Sequence, residues 1–390
     1  MSLLLDRVEN LVIGGGPAGS MLAMRLADAG REVTLLEKER TAHHKVCGEF
    51  LSHEALQYLQ QVGIDPCELG AVSIRFVRLS TGRKTAKAAL PFEAVSLSRY
   101  TLDAAMLMRA NKKGCDVQRG AFVETLTDQG DAWLVQLRDG RSISARTVFL
   151  ANGKHDLHRW ERAEGKQCDL VGFKMHWRLN PTQTRALREL MELFLFTGGY
   201  GGLSLIESDV ANLCLVVQRA KLRKLGGWTQ LFAALLCENP HLLQRMQGAT
   251  SLWERPLAVS PIPYGYLAGH PDGIWCIGDQ AAVIPSFTGE GMSIALHTAA
   301  LAAEMYLDGA SPNEYHHRLC TQLGRGMSLS TSLSRAIVSS GGRKFAPFAL
   351  SLFPNAMQWI AASTRIPDHV LLNGLANTDE REILRKSHIA

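Results

Sequence analysis

The sequence predicts an α/β fold in which a parallel-sheet domain is interrupted by a mostly antiparallel sheet and followed by a helical C-terminal region. Three observations carry this expectation. The chain opens on a strand–turn–helix–strand pattern that ends in an acid at Glu37. Near Val171 the apolar period becomes two, the signature of strands. Near Ile274 the α/β pattern returns and leads into a long apolar helix.

The opening pattern has a physical reading at each position. Residues 9–13 form a short apolar strand that runs into Gly14-Gly15-Gly16-Pro17-Ala18-Gly19. An Ala-, Leu- and Met-rich helix follows to Asp28, stops at Gly30, and gives way to a second strand over 32–36. Gly14 permits the tight turn, Gly16 lets the backbone approach a pyrophosphate, and Gly19 lets helix and strand pack closely. Pro17 suits an early helical position, where its missing N–H costs nothing, and Ala18 follows it into the helix. The unpaired N–H groups of the helix start face the phosphates. Glu37, with Lys38 beside it, lies 18 residues beyond Gly19 and can accept hydrogen bonds from an adenosine ribose. Framed in this way, G-x-G-x-x-G predicts a Rossmann-type dinucleotide-binding domain, and so an enzyme.

Bulk properties narrow the class. A chain of 390 residues suits two or three domains. Its 46% hydrophobic and 20% charged residues are ordinary for a globular protein. The net charge of +5 is spread without a Lys/Arg block, so no nucleic-acid partner is expected. The eight cysteines are widely spaced and form no C-x-x-C, so no metal site is expected. Residues 1–5 are too short for a signal peptide, and free cysteines suit a reducing compartment; the expected location is cytoplasmic. No apolar run is long enough to span a membrane.

Along the chain, residues 96–107 read as a helix capped by Ser98. Strands over 132–137 and 142–150 flank Asp139-Gly140, a hairpin signal. Val171, Phe173, Met175 and Trp177 alternate with Gly172, Lys174, His176 and Arg178. That predicts a half-buried strand with Lys174, His176 and Arg178 in solvent, the alternative being a polar substrate clamp, and with Phe173, Met175 and Trp177 in the core, the alternative being the roof of an apolar substrate cavity. Further strands are expected over 191–196, 203–206 and 211–217, then a helix over 228–237. A short strand over 274–277 ends in Gly278-Asp279, and the loop Pro285-Ser286-Phe287-Thr288-Gly289-Glu290-Gly291 opens a helix over 292–306. The expected division is a discontinuous cofactor domain over 1–70, 96–165 and 260–308, a substrate domain over 71–95 and 166–259, and a C-terminal helical region over 309–390.

The late segment is a second cofactor signal. Asp279 can accept from ribityl hydroxyls. Gly289 and Gly291 let backbone N–H groups approach a planar ring without a Cβ clash, at a helix N-terminus whose dipole favours an electron-rich ligand. With Gly14/Gly16/Gly19 and Glu37, the helix Arg99-Tyr100-Thr101-Leu102-Asp103 to Met106, and Gly278-Asp279 with Pro285 to Gly291, the chain resembles the p-hydroxybenzoate hydroxylase-like flavoproteins over roughly 8–305. The resemblance implies a Rossmann-type FAD-binding domain with an inserted substrate domain, bound FAD, and NAD(P)H or another reductant as electron donor. It implies that Arg99 contacts the phosphate or ribityl part of FAD. By the same resemblance Lys38, Lys45, Cys47, Gly48 and Val123 fall on cofactor-binding positions, as do Pro285, Glu290 and Met292.

Finer features resemble the geranylgeranyl reductase branch. These are Lys45-Val46-Cys47-Gly48-Glu49, similar to its K-P-C-G segment, and Thr288-Gly289-Glu290-Gly291-Met292. Its G-Y-G-W-x-F-P strand is matched only by Tyr200-Gly201, and the hydroxylases' A-D-G-x-x-S only by Ala151-Asn152-Gly153-Lys154-His155-Asp156. The tryptophan halogenase pattern W-x-W-x-I-P is absent.

In such enzymes the flavin carries the hard step and the protein orients, dries and tunes the site. Cys47 is the catalytic candidate, as a proton shuttle, a tuning group or a covalent anchor; the alternative is a small buried hydrophobe. Glu49 reads as a solvated loop charge and His43-His44 as surface. Phe345, Phe348, Leu352, Phe353, Trp359 and Ile360 either pack on the cofactor domain or make a peripheral membrane- or carrier-facing patch. The expected function is an FAD-dependent oxidoreductase acting on a hydrophobic or aromatic small molecule. Superfamily analogy puts a monooxygenase first. The alternatives are a geranylgeranyl-type reductase saturating double bonds of a lipid-like substrate, and an enzyme modifying a partner protein or a carrier-bound intermediate. Purified protein is expected to be yellow with a flavin absorption spectrum; a colourless chain that FAD cannot reconstitute contradicts this reading.

Overall fold

Strands with long apolar runs demand cover on both faces, and the first sheet shows how this chain supplies it. The computed structural model describes residues 6–269, 273–339, 363–367 and 370–371. The first sheet has the strand order Asp116–Arg119, Val33–Glu37, Asp6–Ile13, Ser142–Leu150, Trp133–Leu137, Val123–Asp128, with Trp275–Cys276 also beside Ser142–Leu150. Asp6–Ile13 pairs in parallel with Val33–Glu37 and with Ser142–Leu150. The expected hairpin Trp133–Leu137/Ser142–Leu150 is antiparallel. Leu11, Val12, Leu35 and Leu36 are buried at the sheet centre. The helix Pro17–Asp28 buries Met21, Leu22, Met24 and Leu26 and packs on the helix Gly291–Leu307.

The second sheet has nine strands, in the order Thr250–Ser251, Leu170–Arg178, Val210–Gln218, Gly199–Ile206, Glu189–Phe196, Val72–Thr81, Lys84–Ser96, Phe50–Ser52, with Leu257–Val259 also on Leu170–Arg178. Its pairs are antiparallel except Glu189–Phe196 with Val72–Thr81. Val72–Thr81 and Lys84–Ser96 were not legible as strands. Lys84, Lys87, four alanines and Pro91 give the latter little strand propensity, so pairing decides its conformation. Phe50–Ser52 joins this sheet, although the sequence division places it with the cofactor domain.

One expectation is reversed. Lys174 is 0% and His176 3% exposed, and of the three polar residues only Arg178 reaches solvent. The face opposite them is covered by the helix Trp228–Glu238, with Phe173 on Trp228 at 5.2 Å and Trp177 on Phe232 at 5.2 Å between ring centroids. The polar face meets the loop 44–49, so the strand is buried on both sides.

The helix Pro312–Val338 starts on a reciprocal capping box between Ser311 and Glu314. Residues Phe345, Phe348, Leu352, Phe353, Trp359 and Ile360 lie outside the described residues. Among the described residues no helix is long and apolar enough to cross a membrane.

Within the second sheet, Glu192 is buried and accepts from Arg78 at 2.7 Å, His241 at 2.9 Å and Arg245 at 2.9 Å. Burial pushes its pKa up, but the His241 and Arg245 contacts win and hold it at about 2, below 4.5. A depressed carboxyl pKa stabilises the fold above its unfolded value, and that stability is lost as pH falls toward the folded value. The group is expected to contribute about 3 kcal/mol that vanishes over this acid range. Denaturant titrations at pH 6 and pH 3 should show a smaller loss for Glu192→Gln than for the parent; equal losses contradict the assignment.

Candidate functional site

The glycine turn is shaped by contacts that admit no side chain. Gly14 has φ +114°, and a Cβ there would lie 2.4 Å from the Ala151 carbonyl oxygen. A Cβ on Gly19 would lie 1.9 Å from the Gly14 oxygen. Gly16 differs: the nearest atoms to a Cβ would be Arg99 Nη2 at 3.5 Å and Lys45 Nζ at 3.9 Å. No side chain caps this helix start, and Pro17 and Ala18 are buried behind it. The result is an open cradle of backbone N–H groups between two cations, which fits a diphosphate.

The cations are held from the helix Arg99–Lys112. Ser98 caps it by accepting from the Thr101 N–H. Asp103 accepts from Arg99 Nε at 2.6 Å and Nη2 at 2.8 Å, and from Lys45 Nζ at 3.0 Å. Two cations on one carboxylate leave the cradle net positive. Burial opposes the charge on Arg99, but Asp103 holds its pKa well above the usual value. Burial likewise opposes the charge on Asp103, and Arg99 and Lys45 override it and lower its pKa. Glu37 closes the adjoining cleft: its Oε2 accepts from the Gly15 N–H at 2.9 Å and its Oε1 from the Glu39 N–H at 3.0 Å. Thr41, His43 and Arg119 line the same cleft. Lys38 is exposed, and the Val123 side chain is in the core, so anything Val123 offers a ligand comes from its backbone.

The late segment meets the same turn. Gly278 has φ +62°, and a Cβ there would sit 2.9 Å from the Ala18 Cβ, so this strand end abuts the first helix. Asp279 pairs with Lys154 at 3.2 Å. Burial would raise its pKa; Lys154 and Arg162 lower it. Gly289 has φ +76° and packs on Phe50, while nothing lies within 4 Å of a Cβ on Gly291. The helix Gly291–Leu307 has no side-chain cap either, so a second open helix start faces free space. Pro285 and Met292 are buried. The Glu290 side chain turns inward: its Oε1 lies 3.9 Å from Arg365, and its buried Oε2 has no hydrogen-bond partner. Burial and the neighbouring Glu54 raise its pKa to about 8, which makes it a neutral acid and leaves only its backbone for a ligand. Beside Pro285, the hydroxyls of Tyr200 and Tyr264 meet Ser286 Oγ at 3.3 and 2.8 Å, a pair with no sequence motif to announce it.

Cys47 lies at the seam of the two sheets. It is half-buried, and its Sγ accepts from the Glu49 N–H at 3.3 Å. Asn212 donates to the carbonyls of Cys47 at 3.2 Å and Gly48 at 3.0 Å, pinning the loop to the second sheet. Among the described residues no atom lies within 4 Å of a Cβ on Gly48, so the loop is open on that side.

Glu49, Lys174, His176 and His44 were not legible as a site. Glu49 is fully buried at φ +59°, not solvated. It accepts from the Lys174 ammonium, from His176 Nε2 at 3.2 Å and from the Arg99 N–H at 2.8 Å. Burial raises its pKa, and His176 and Lys174 more than reverse that. His44, read as surface, packs edge-on to His176 at 4.8 Å and stacks on Tyr100 at 5.0 Å between centroids. Burial, then Lys174, lowers its pKa to about 4, so it is neutral. Donor atoms of His44, Glu49 and His176 lie within 4.8 Å of one another, but the Lys174 ammonium already neutralises Glu49 and disfavours a second cation. The available signal was the pairing of charges in a loop and a strand that are otherwise apolar.

Substitution should separate the two kinds of glycine. A Cβ on Gly16 meets only side-chain ends, at 3.5 Å and beyond, so Gly16→Val is expected to keep its fold by circular dichroism and lose most of its bound FAD. Gly19→Val should disrupt the fold itself. Full FAD content in folded Gly16→Val would contradict the cradle.

Comparison with known proteins agrees with this geometry. Residues 7–159 match the family model described as an FAD binding domain. Digeranylgeranylglycerophospholipid reductase 1 of Methanopyrus kandleri is 33% identical over 326 residues, covering 78% of this chain and 81% of that protein. Menaquinone reductase of Mycobacterium tuberculosis is 24% identical over 345 residues, 84% of each chain. The fold matches the myxobacterial chondrochloren halogenase CndH at a TM-score of 0.73 and 19% identity, covering 98% of this chain and 96% of that one. PqsL of Pseudomonas aeruginosa superposes at 0.66 and 19% identity, covering 90% of this chain and 100% of that one. A positively charged glycine cradle, a second open helix start against it and a relative at one-third identity converge: the chain belongs to the family of FAD-dependent oxidoreductases that includes the digeranylgeranylglycerophospholipid reductases.

Proposed function

We propose that this enzyme saturates a carbon–carbon double bond of a lipid-like, isoprenoid substrate. The observation that carries the reading is Cys47, a half-buried thiol on the seam loop with a backbone N–H directed at its sulfur. Monooxygenation came first from superfamily analogy, but likeness to solved structures at 19% identity supports the fold alone. The 33% identical relative favours reduction, and both named substrates of the relatives, menaquinone and digeranylgeranylglycerophospholipid, carry isoprenoid chains.

In this reading the Gly14–Gly19 turn, Lys45 and Arg99 hold the diphosphate, Glu37 the adenosine ribose, Asp279 the ribityl chain, and the open N–H groups at Gly291 the ring. Residues 1–70, 96–165 and 260–308 form the cofactor part, and 71–95 with 166–259 the substrate part. Held by these residues, reduced FAD would supply the hydride for one alkene carbon. Cys47 would give the proton from Sγ to the other carbon, so that two hydrogens are added. The Glu49 N–H at 3.3 Å stabilises the thiolate left behind. Asn212, by holding the Cys47 and Gly48 carbonyls, fixes where the thiol points. NAD(P)H or another reductant restores the cofactor, and a lipid substrate would be met at a membrane surface.

Dithionite-reduced holoenzyme mixed anaerobically with a prenylated lipid is expected to return to the oxidised flavin spectrum. Cys47→Ala should slow that step by about 100-fold or more, the usual weight of a general acid. Reoxidation that requires O₂ and consumes it with substrate would overturn the proposal in favour of hydroxylation.

A further inference from the structure

The proton that leaves Cys47 must be replaced before the next turnover. On its own loop and on the strand facing that loop lie three ionisable side chains in an almost fully buried position: Lys174 and Glu49 are 0% and His176 3% exposed. Taking charges out of water costs several kcal/mol per ion, and an apolar trio of like volume would serve packing as well or better. Their arrangement is continuous. The Lys174 ammonium donates to Glu49 Oε1, and His176 Nε2 meets Glu49 Oε2 at 3.2 Å. The His176 ring stacks on Trp253 at 4.4 Å and meets the edge of His44 at 4.8 Å. His44 stacks on Tyr100, which is 45% exposed. His44 Nδ1 is buried without a hydrogen-bond partner, as expected where a water or a passing proton must bridge.

The other end meets the Cys47 loop through the Glu49 backbone. Glu49 is only two residues from Cys47, its N–H is bonded to Sγ, and its left-handed backbone at φ +59° is tolerated where the surroundings over-determine it. Asn212 stands opposite His176 in the sheet register and holds the Cys47 carbonyl, so network and loop share one support.

We infer that Lys174, Glu49 and His176 form a proton reservoir that sets the protonation of Cys47 and refills it after each turnover, with His44 as the outlet to solvent. The inference rests on the reading of Cys47 as the proton donor. In the refilling step the reservoir gives one proton to the Cys47 thiolate and recovers one from solvent through His44; no electrons move. Among the described residues, ionisable groups near the network also include Glu207, near the start of the helix Arg99–Lys112, Arg99 itself, which interacts electrostatically with Cys47, and Cys214, opposite Lys174 in the sheet. Burial raises the Cys214 pKa to about 12, so it stays a neutral thiol.

The test measures Cys47 alkylation by iodoacetamide against pH in the FAD-loaded enzyme. Peptide mass mapping reads Cys47 apart from the exposed Cys67 and Cys237. Lys174→Met should slow alkylation at neutral pH by about tenfold, one pKa unit, because the thiolate loses a nearby cation. Glu49→Gln should speed it, because the cation loses its counter-charge. Should Lys174→Met fail to load FAD, His176→Gln takes its place with the same expected sign. Opposite shifts support the reservoir; shifts in one direction, or none, overturn it. A second readout covers the outlet. His44→Phe should lower kcat and leave KM unchanged, with added imidazole restoring the rate; a loss that imidazole does not restore overturns the outlet role. The alkylation result does not depend on which substrate is turned over, so it stands apart from failure of the double-bond assay.

Discussion

Burying the Glu49 carboxylate is the constraint around which the two sheets are joined. Left alone in the interior, that charge would be prohibitive. It is tolerated because Lys174 and His176 come from the second sheet and the Arg99 N–H comes from the start of the helix Arg99–Lys112. One carboxylate therefore ties together a strand of the second sheet, a cationic helix that flanks the glycine cradle, and the loop that carries Cys47. Removing one partner would leave a buried charge uncompensated, which costs far more than the pair contributes.

The cofactor side is organised by a second convergence. The two helices that begin at Pro17 and Gly291 both start without side-chain caps, and Gly278 brings their neighbourhoods into contact at Ala18. Unsatisfied N–H groups at a helix start are normally answered by a side chain or water. Here two such starts, 274 residues apart in sequence, are left open, the first of them beside Arg99 and Lys45, which is the electrostatic request for an extended anionic dinucleotide.

What was legible in the sequence was whatever repeats in many chains for a local reason. The turn at Gly14–Gly19, the Ser98 cap, the Asp139-Gly140 hairpin and the helix after Gly291 each follow from nearby residues. Lys174 and His176 were misplaced because period two tells which residues share a face, not what lies against that face. Glu49 and His44 were misplaced for the same reason: their burial comes from a strand more than 120 residues away. Glu290 shows the limit from the other side, since a motif position inside the cofactor loop turned its carboxyl to Glu54 and Arg365. Tyr200 and Tyr264 meet over Ser286 only through tertiary packing.

The central claim is that this flavoenzyme adds hydrogen to an isoprenoid double bond, with Cys47 giving the proton. Mass spectrometry of the product after anaerobic turnover of the reduced holoenzyme with a prenylated lipid tests it most directly. The expected product is heavier by two hydrogens per double bond and forms without O₂. A product that forms only in O₂ and carries one added oxygen atom would contradict it.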